Sequence, residues 1–388
     1  MDPRIFLLAL ATFATGTAEN IVIGILPDVA LGLGVSLGLA GQLTAVFSLT
    51  FALAAPAALV LTRCMERRTI LVFALAAFVL SNLAAALSPG IAVLFATRIA
   101  MAAASATACL VATMLATELA GPDRRGRAIG LIFMGISGSM VLGVPAGMLI
   151  SSLFGWRIVF LALALLALSI LALCQLLLPV SSRGPRDMAG YRRHVGSLRL
   201  LSGQLVSILM IGGHFVLFAY LVPYAVDAVG FDDDTLVPIF VAFGVAGVSG
   251  GYLGGWLTDV VTPRAAILVV PLAYMAVLLA IPAVSSMPMA FLGLMMVWAC
   301  ISWMISPVVQ SFLISAGPET AEAGVSLNLS AMHVGVALGT AIGGLALDRG
   351  STAALPWTGA ILAAIAVAAS LLASWRAGSK QGRPAIGV

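Results

Sequence analysis

Twelve apolar runs, most of them about 20 residues long, recur from one end of the chain to the other. A helix rises 1.5 Å per residue, so a run of that length crosses a hydrocarbon core of roughly 30 Å. The runs lie at 5–27, 40–62, 69–88, 91–117, 127–151, 156–178, 201–226, 236–259, 264–284, 288–316, 323–347 and 354–375. Turn chemistry marks their ends, as at Ser88-Pro89-Gly90, Gly121-Pro122-Asp123, Phe154-Gly155-Trp156 and Asp232-Asp233-Asp234. Of 388 residues, 62% are hydrophobic and 9% charged, whereas a soluble domain is about 25% charged. The chain therefore reads as an all-α membrane protein, and a soluble core is excluded. The first run does not read as a signal peptide. Arg4 is a weak charged flank, the run is long, and no small-residue cleavage site follows it.

Charge fixes an expected orientation. With the N-terminus cytoplasmic and twelve crossings, 16 of the 19 Lys and Arg fall on the cytoplasmic side. Arg157 and Arg349 fall outside, and Arg98 lies within a span. This is a positive-inside pattern, and it puts both termini in the cytoplasm. It also accounts for the net charge of +4 without nucleic acid. The four cysteines, Cys64, Cys109, Cys174 and Cys300, lie in or at the ends of apolar runs without metal spacing. They read as small core residues.

The one sizeable polar segment, 180–199, is basic, holds Gly and Pro, and divides six spans from six. The expected organisation is a six-helix bundle at 1–179, a cytoplasmic linker at 180–200 and a second six-helix bundle at 201–388. Within the linker, a short amphipathic helix on the inner leaflet and a solvated tether are both open readings. His194, which lies there, is given no role, and neither is Glu118 near the inner end of the fourth span. The halves look related. Ile25-Leu26-Pro27 matches Leu221-Val222-Pro223 at the outer end of each first span. Leu61-Thr62-Arg63 matches Leu257-Thr258-Asp259 between the second and third spans. Matching features six spans apart imply parallel repeats about an axis along the membrane normal.

The chemistry centres on Glu19. It shares one helix face with Thr12, Thr15 and Gly16 inside the first run, with Asn20 beside it. An ionisable side chain at membrane depth costs roughly 3 kcal/mol or more, so its default reading is a site for a proton, an ion or a substrate. Arg98 lies eight residues after Gly90, as Glu19 lies eight before Pro27. Both are then about 12 Å from the outer end of their helices. His214, nine residues before Pro223, sits at the matching depth of the second half. It can relay protons, hydrogen-bond a heterocycle, or serve as a helix contact. His333, with Asn328, is mid-depth in the eleventh span. Gly143 and Gly147, and Gly335, Gly339 and Gly343, repeat every four residues, which suits close helix contacts and a sliding surface between halves. Pro145 is expected to bend the fifth span.

Several of these stretches resemble the drug/proton antiporter branch of the major facilitator superfamily. They are AENIVIGILPDVA in the first span, Arg98 in TRIAMAAASA, Gly143-Val144-Pro145-Ala146-Gly147 in the fifth span, and Gly255-Trp256-Leu257-Thr258-Asp259 at the inner end of the eighth. RAIGLIFMGISG, GHFVLFAYLVPY and the stretch from Trp298 to Gln310 are most similar to bacterial purine base and nucleoside efflux transporters. The loop motif departs from the pattern in the first half, where Arg63 and Glu66 stand in place of Asp and Gly. The resemblance implies a central cavity lined by the first, fourth and tenth spans. Glu19 would bind the coupling proton and meet substrate there, with Arg98 tuning it. Asn20, His214, Tyr220, Trp298, Trp303, Gln310, Asn328 and His333 would contact substrate, since rings stack and amides orient a flat ligand. Asp259 and Arg264 would serve the gate at the inner face.

No Gly-rich loop with Lys-Ser/Thr is present, so ATP is not the driver. No His/Cys cluster has metal spacing and no nucleophile–base set is recognisable, so neither cofactor nor enzyme activity is expected. The expected protein is a monomeric, multi-pass secondary transporter of the bacterial inner membrane. It would export a small molecule in exchange for protons by alternating access. A purine base, nucleoside or analogue is the first substrate class and a drug such as an antibiotic the second. A facilitator or proton-linked importer is the further alternative. A non-transporting receptor is opposed by the short loops.

Overall fold

The computed structural model describes residues 2–61, 65–120, 125–179, 189–349 and 352–374. Twelve of its helices are long and apolar enough to cross a membrane. The first half contains α1 (Arg4–Gly24), α2 (Leu26–Leu33), α3 (Leu37–Leu61), α4 (Arg67–Ala86), α5 (Ile91–Ala120), α6 (Arg125–Gly138), α7 (Val144–Phe154) and α8 (Trp156–Leu177). A short helix, α9 (Ala189–Val195), precedes the second half. That half contains α10 (Leu198–Phe218), α11 (Leu221–Tyr224), α12 (Asp233–Val260), α13 (Pro263–Val284), α14 (Pro288–Ala316), α15 (Ala321–Arg349) and α16 (Ala354–Ser374).

Three spans are broken, each beside a proline. The first was expected to end at Pro27 and Asp28. The helix instead breaks at Ile25 and resumes as α2, which runs to Gly34 at φ +63°. Proline lacks only an N–H that the first turn of a helix leaves unpaired, so Pro27 opens a helix as readily as it ends one. The seventh span repeats the device. α11 carries Pro223, passes into a π-helical turn at Ala225–Val229, and closes at Gly230, φ +84°. In the fifth span the bend expected at Pro145 takes the form of a π-helical turn, Ser139–Gly143, between α6 and α7.

Glycine rows set the tightest contacts. Gly143 faces Thr17 and Gly147 faces Ile21, both on α1. Gly335, Gly339 and Gly343 press on the main chain of Ile208, Gly212 and Val216 of α10. Each row therefore joins helices of its own half, which corrects the expected sliding surface. Four-residue spacing signals a close approach and is silent about the partner. Other residues make the seam between halves: Gly38 meets Asp348, Gly41 meets Tyr220, Gly344 meets Gln42, and Gly244 meets Val141.

Arginines tie helix ends together on one face. Arg67 pairs with Glu118, so α4 holds α5. Arg68 donates to the Gln175 carbonyl of α8 and Arg264 to the Ser374 carbonyl of α16. Arg199 donates to the Ala373 carbonyl at 3.3 Å. Asp259 and Arg264, expected together at a gate, form no ion pair among the described residues. Thr62, Arg63, Cys64 and Arg124 lie outside the described residues. Cys109 and Cys174 are buried and free, and Cys300 is half-buried and free. Toward the face opposite these arginines, the start of α3 meets the end of α15 and α2 meets α11.

Candidate functional site

Glu19 lies on the buried helix α1 and its side chain keeps 15% exposure. Its Oε1 is 3.2 Å from Nε2 of His333. The other ring nitrogen of His333, Nδ1, is 2.9 Å from the Leu329 carbonyl one turn back on α15. Phe51 of α3 stacks on the imidazole with centroids 3.9 Å apart and planes 2° from parallel. Residues of α1 and α3 thus grip one residue of α15 across the seam.

Arg98 is fully buried on α5. Its guanidinium was expected at the Glu19 carboxylate. It reaches main chain instead, donating to the Ala18 carbonyl at 2.5 Å, the Glu19 carbonyl at 3.1 Å and the Leu43 carbonyl at 3.4 Å. Its Cζ also sits 4.2 Å from the centroid of Phe47. A planar fork with five N–H donors can serve several carbonyls at once. Glu19 still acts on Arg98 through space.

The other expected contacts are dispersed. Asn20 donates to the Gly16 carbonyl of its own helix at 3.1 Å. His214 is enclosed by rings: Phe218 at 4.8 Å, Trp298 at 4.9 Å, Phe215 at 5.2 Å and Phe243 at 6.0 Å. Its buried Nδ1 has no hydrogen-bond partner. Trp298 is fully buried and donates to the Tyr274 hydroxyl at 3.2 Å. Tyr220 is fully buried in the seam and donates to the Thr340 carbonyl at 2.9 Å. Trp303 packs on Gly247 of α12, and Gln310 donates to Ser306 at 3.0 Å.

Asn328 belongs to a separate polar chain that sequence reasoning missed. It donates to Gln204 at 3.0 Å, and Gln204 donates to the Gly324 carbonyl at 2.9 Å. Gln204 also lies 3.1 Å from Nε2 of His194, whose Nδ1 is 3.3 Å from the Thr320 hydroxyl. His194 is fully buried against the second half, and burial pushes its imidazole below the usual histidine range. A histidine in a basic tract with Gly and Pro carries no sequence signal of burial. Among the described residues, no group of three His, Cys, Asp or Glu could hold a metal ion.

Twelve helices long and apolar enough to cross a membrane define the class as a multi-pass membrane protein. The chain belongs to the Major Facilitator Superfamily, whose family model matches residues 8–328. An MFS-type transporter of Bacillus subtilis, YbcL, is 31% identical over 95% of both chains. A chloramphenicol resistance protein of Streptomyces lividans is 30% identical, again over 95% of each. The inner membrane transport protein YdhP of Escherichia coli is 28% identical over 93% of each. A crystal structure of a bacterial homologue of the human lysosomal transporter Spinster has a TM-score of 0.78 to this fold. It covers 96% of this chain and 98% of its own at 17% identity, a likeness of fold. The protein is thus a multi-pass transporter of the bacterial inner membrane. The lipid bilayer and a small-molecule substrate are its partners by class, and the family is not one of enzymes as a rule.

Proposed function

We propose that the protein is a proton-coupled exporter of small organic molecules that works by alternating access. The halves 1–179 and 201–388, joined through 180–200, rock about the seam. The arginine-rich face is cytoplasmic, and both termini lie on that side. Glu19 is the group at which proton and substrate exclude one another.

One observation carries this reading: the only carboxylate of α1 sits at the seam, part-exposed, 3.2 Å from a histidine of the other half. A charge kept at membrane depth between two moving bodies is suited to coupling their motion to ion binding. As cargo we propose drug-like amphipathic compounds of the chloramphenicol kind, supported by the Streptomyces lividans relative. Purine bases and nucleosides are the second reading, supported by the motifs of the fifth, seventh and tenth spans. Two of the aromatics that would stack a purine, Tyr220 and Trp298, are fully buried in helix contacts, which ranks purines second.

Purified protein in liposomes with an acidic lumen, arginine-rich face outward, should accumulate labelled chloramphenicol until an uncoupler is added. A purine panel run in parallel ranks the two cargo classes. Glu19→Gln should reduce gradient-driven accumulation at least about tenfold, since the neutral amide no longer supplies the charge that holds a proton at this site. Full coupling at an unchanged rate in that variant removes the assignment of Glu19. Accumulation under the opposite gradient identifies an importer.

A further inference from the structure

We propose that the coupling proton is carried by His333 as an imidazolium clamped between Glu19 and Phe51 of the other half, and that this charged ring closes the seam. The inference rests on the proton-coupled reading of the same site.

Hydrogen-bond chemistry comes first. A main-chain carbonyl only accepts, so the 2.9 Å contact with Leu329 puts a hydrogen on Nδ1. Nε2 of a neutral ring is then an acceptor, as is a carboxylate oxygen. Two acceptors 3.2 Å apart repel unless a proton lies between them. The pair in this state therefore holds one proton beyond that on Nδ1.

The surroundings decide which side holds it. Both ring nitrogens face acceptors, which is the pattern a doubly protonated imidazole satisfies. The face of Phe51 lies parallel to the ring at 3.9 Å, and an aromatic face attracts a cation. A neutral imidazole gains less from each of the three. The protonated pair is neutral overall, and loss of the proton leaves one negative charge facing a lone pair.

No other titratable group competes for the ring among the described residues. Helices α3 and α16, both packed on α15, carry none. On α10, His214 lies in its aromatic cage and Arg199 over the ring of Phe312. On α14 the only titratable side chain is Cys300. On α9, His194 is bonded to Thr320 and Gln204, Arg193 pairs with Glu319, and Tyr191 donates to Ser326 with Arg192 beside it at that same inner end of α15. Asp348 and Arg349 of α15 itself lie about 22 Å along its axis from His333. On α5, the Arg98 guanidinium is taken up by the Ala18, Glu19 and Leu43 carbonyls and the ring of Phe47.

The consequence is mechanical. Glu19 and Phe51 belong to the first half and His333 to the second, so one proton sustains the inter-half contacts at this depth. On one side a hydronium O–H bond breaks as the Nε2–H bond forms, leaving water; on the other the N–H bond breaks and the proton passes to a water molecule as hydronium. A cargo molecule that donates to Glu19 takes the place of the imidazolium.

The chain has three histidines, so ring-nitrogen NMR of histidine-labelled protein in nanodiscs resolves each one, with His194→Gln and His214→Gln as assignments. At pH 7.5 without cargo, the ring of residue 333 should carry hydrogens on both nitrogens. In Glu19→Gln its protonated fraction should fall about tenfold or more, as loss of an adjacent carboxylate predicts. Spin labels at Leu87 and Met289, exposed sites beside α5 and on α14, read the seam. Their distance distribution should shift in Phe51→Leu and in Glu19→Gln, and at high pH in the wild type. A neutral ring at residue 333 in the wild type overturns the proposal, and so does a seam indifferent to pH and to both substitutions. A doubly protonated ring without proton-driven flux sinks the antiport reading instead, so the two failures are distinguishable.

Discussion

Replacing Gly339 by alanine connects helix packing to the acid–imidazole pair. A Cβ built at Gly339 lies 2.8 Å from the carbonyl carbon and 2.9 Å from the Cα of Gly212, and nearer still to its oxygen. Ordinary contact begins at 3.4 Å, and backbone cannot rotate aside as a side chain can. Helices α10 and α15 must therefore part by about 1 Å, an overpacking cost of ~1–3 kcal/mol. His333 lies six residues earlier on α15, about 9 Å along the axis. A shift of that size carried along the helix displaces His333 from its present 3.2 Å geometry with Glu19. The assay is built into the chain, because Cys109 and Cys174 are buried and react with a thiol dye only on unfolding. Gly339→Ala should unfold at a lower temperature and lose proton-driven flux. Gly293→Ala on α14, where an added Cβ meets nothing within 4 Å, should hold or gain stability. A Gly339→Ala protein with wild-type unfolding temperature and full coupling would refute the argument.

Two further outcomes are expected. Arg98→Lys should lower thermal stability by ~1–3 kcal/mol and reduce flux, because one ammonium cannot replace a fork that serves three carbonyls and lies on Phe47. An Arg98→Lys protein that matches the wild type in the thiol-dye melt would contradict this. Lowering the pH should release α9 from the second half. The docked His194 is held below the ordinary value of 6.5, so the undocked form binds more protons once the pH drops under 6.5. Docking is complete above that value and weakens as the pH falls toward the depressed one. Hydrogen exchange over 189–195, corrected for intrinsic rates, should rise on acidification in the wild type and not in His194→Gln. An acid-insensitive wild type would count against this sign.

The twelve crossings were legible because hydrocarbon thickness imposes one length on every span. The second was read at 40–62, and α3 runs Leu37–Leu61. The depth of Glu19 was legible for the same reason, since counting residues to Pro27 measures distance along an axis. Azimuth was not. α15 carries small and polar residues on all sides, so no apolar stripe told which face of it His333 occupies. Arg98 was matched with a carboxylate because a carboxylate is visible in a sequence. Its actual partners are peptide oxygens, which every residue has. Tyr220 and Trp298 read as ligand platforms, yet a tyrosine or tryptophan that finds one hydrogen-bond partner packs as well inside a helix contact.

The grip of Arg98 on the peptide oxygens of Ala18 and Glu19 has a kinematic consequence. It bolts the main chain in the middle of α1 to α5, so in the proposed rocking motion the acid's backbone would travel as a passenger of its own half. Under the alternating access proposed above, the backbone address of Glu19 would stay constant while its company changed.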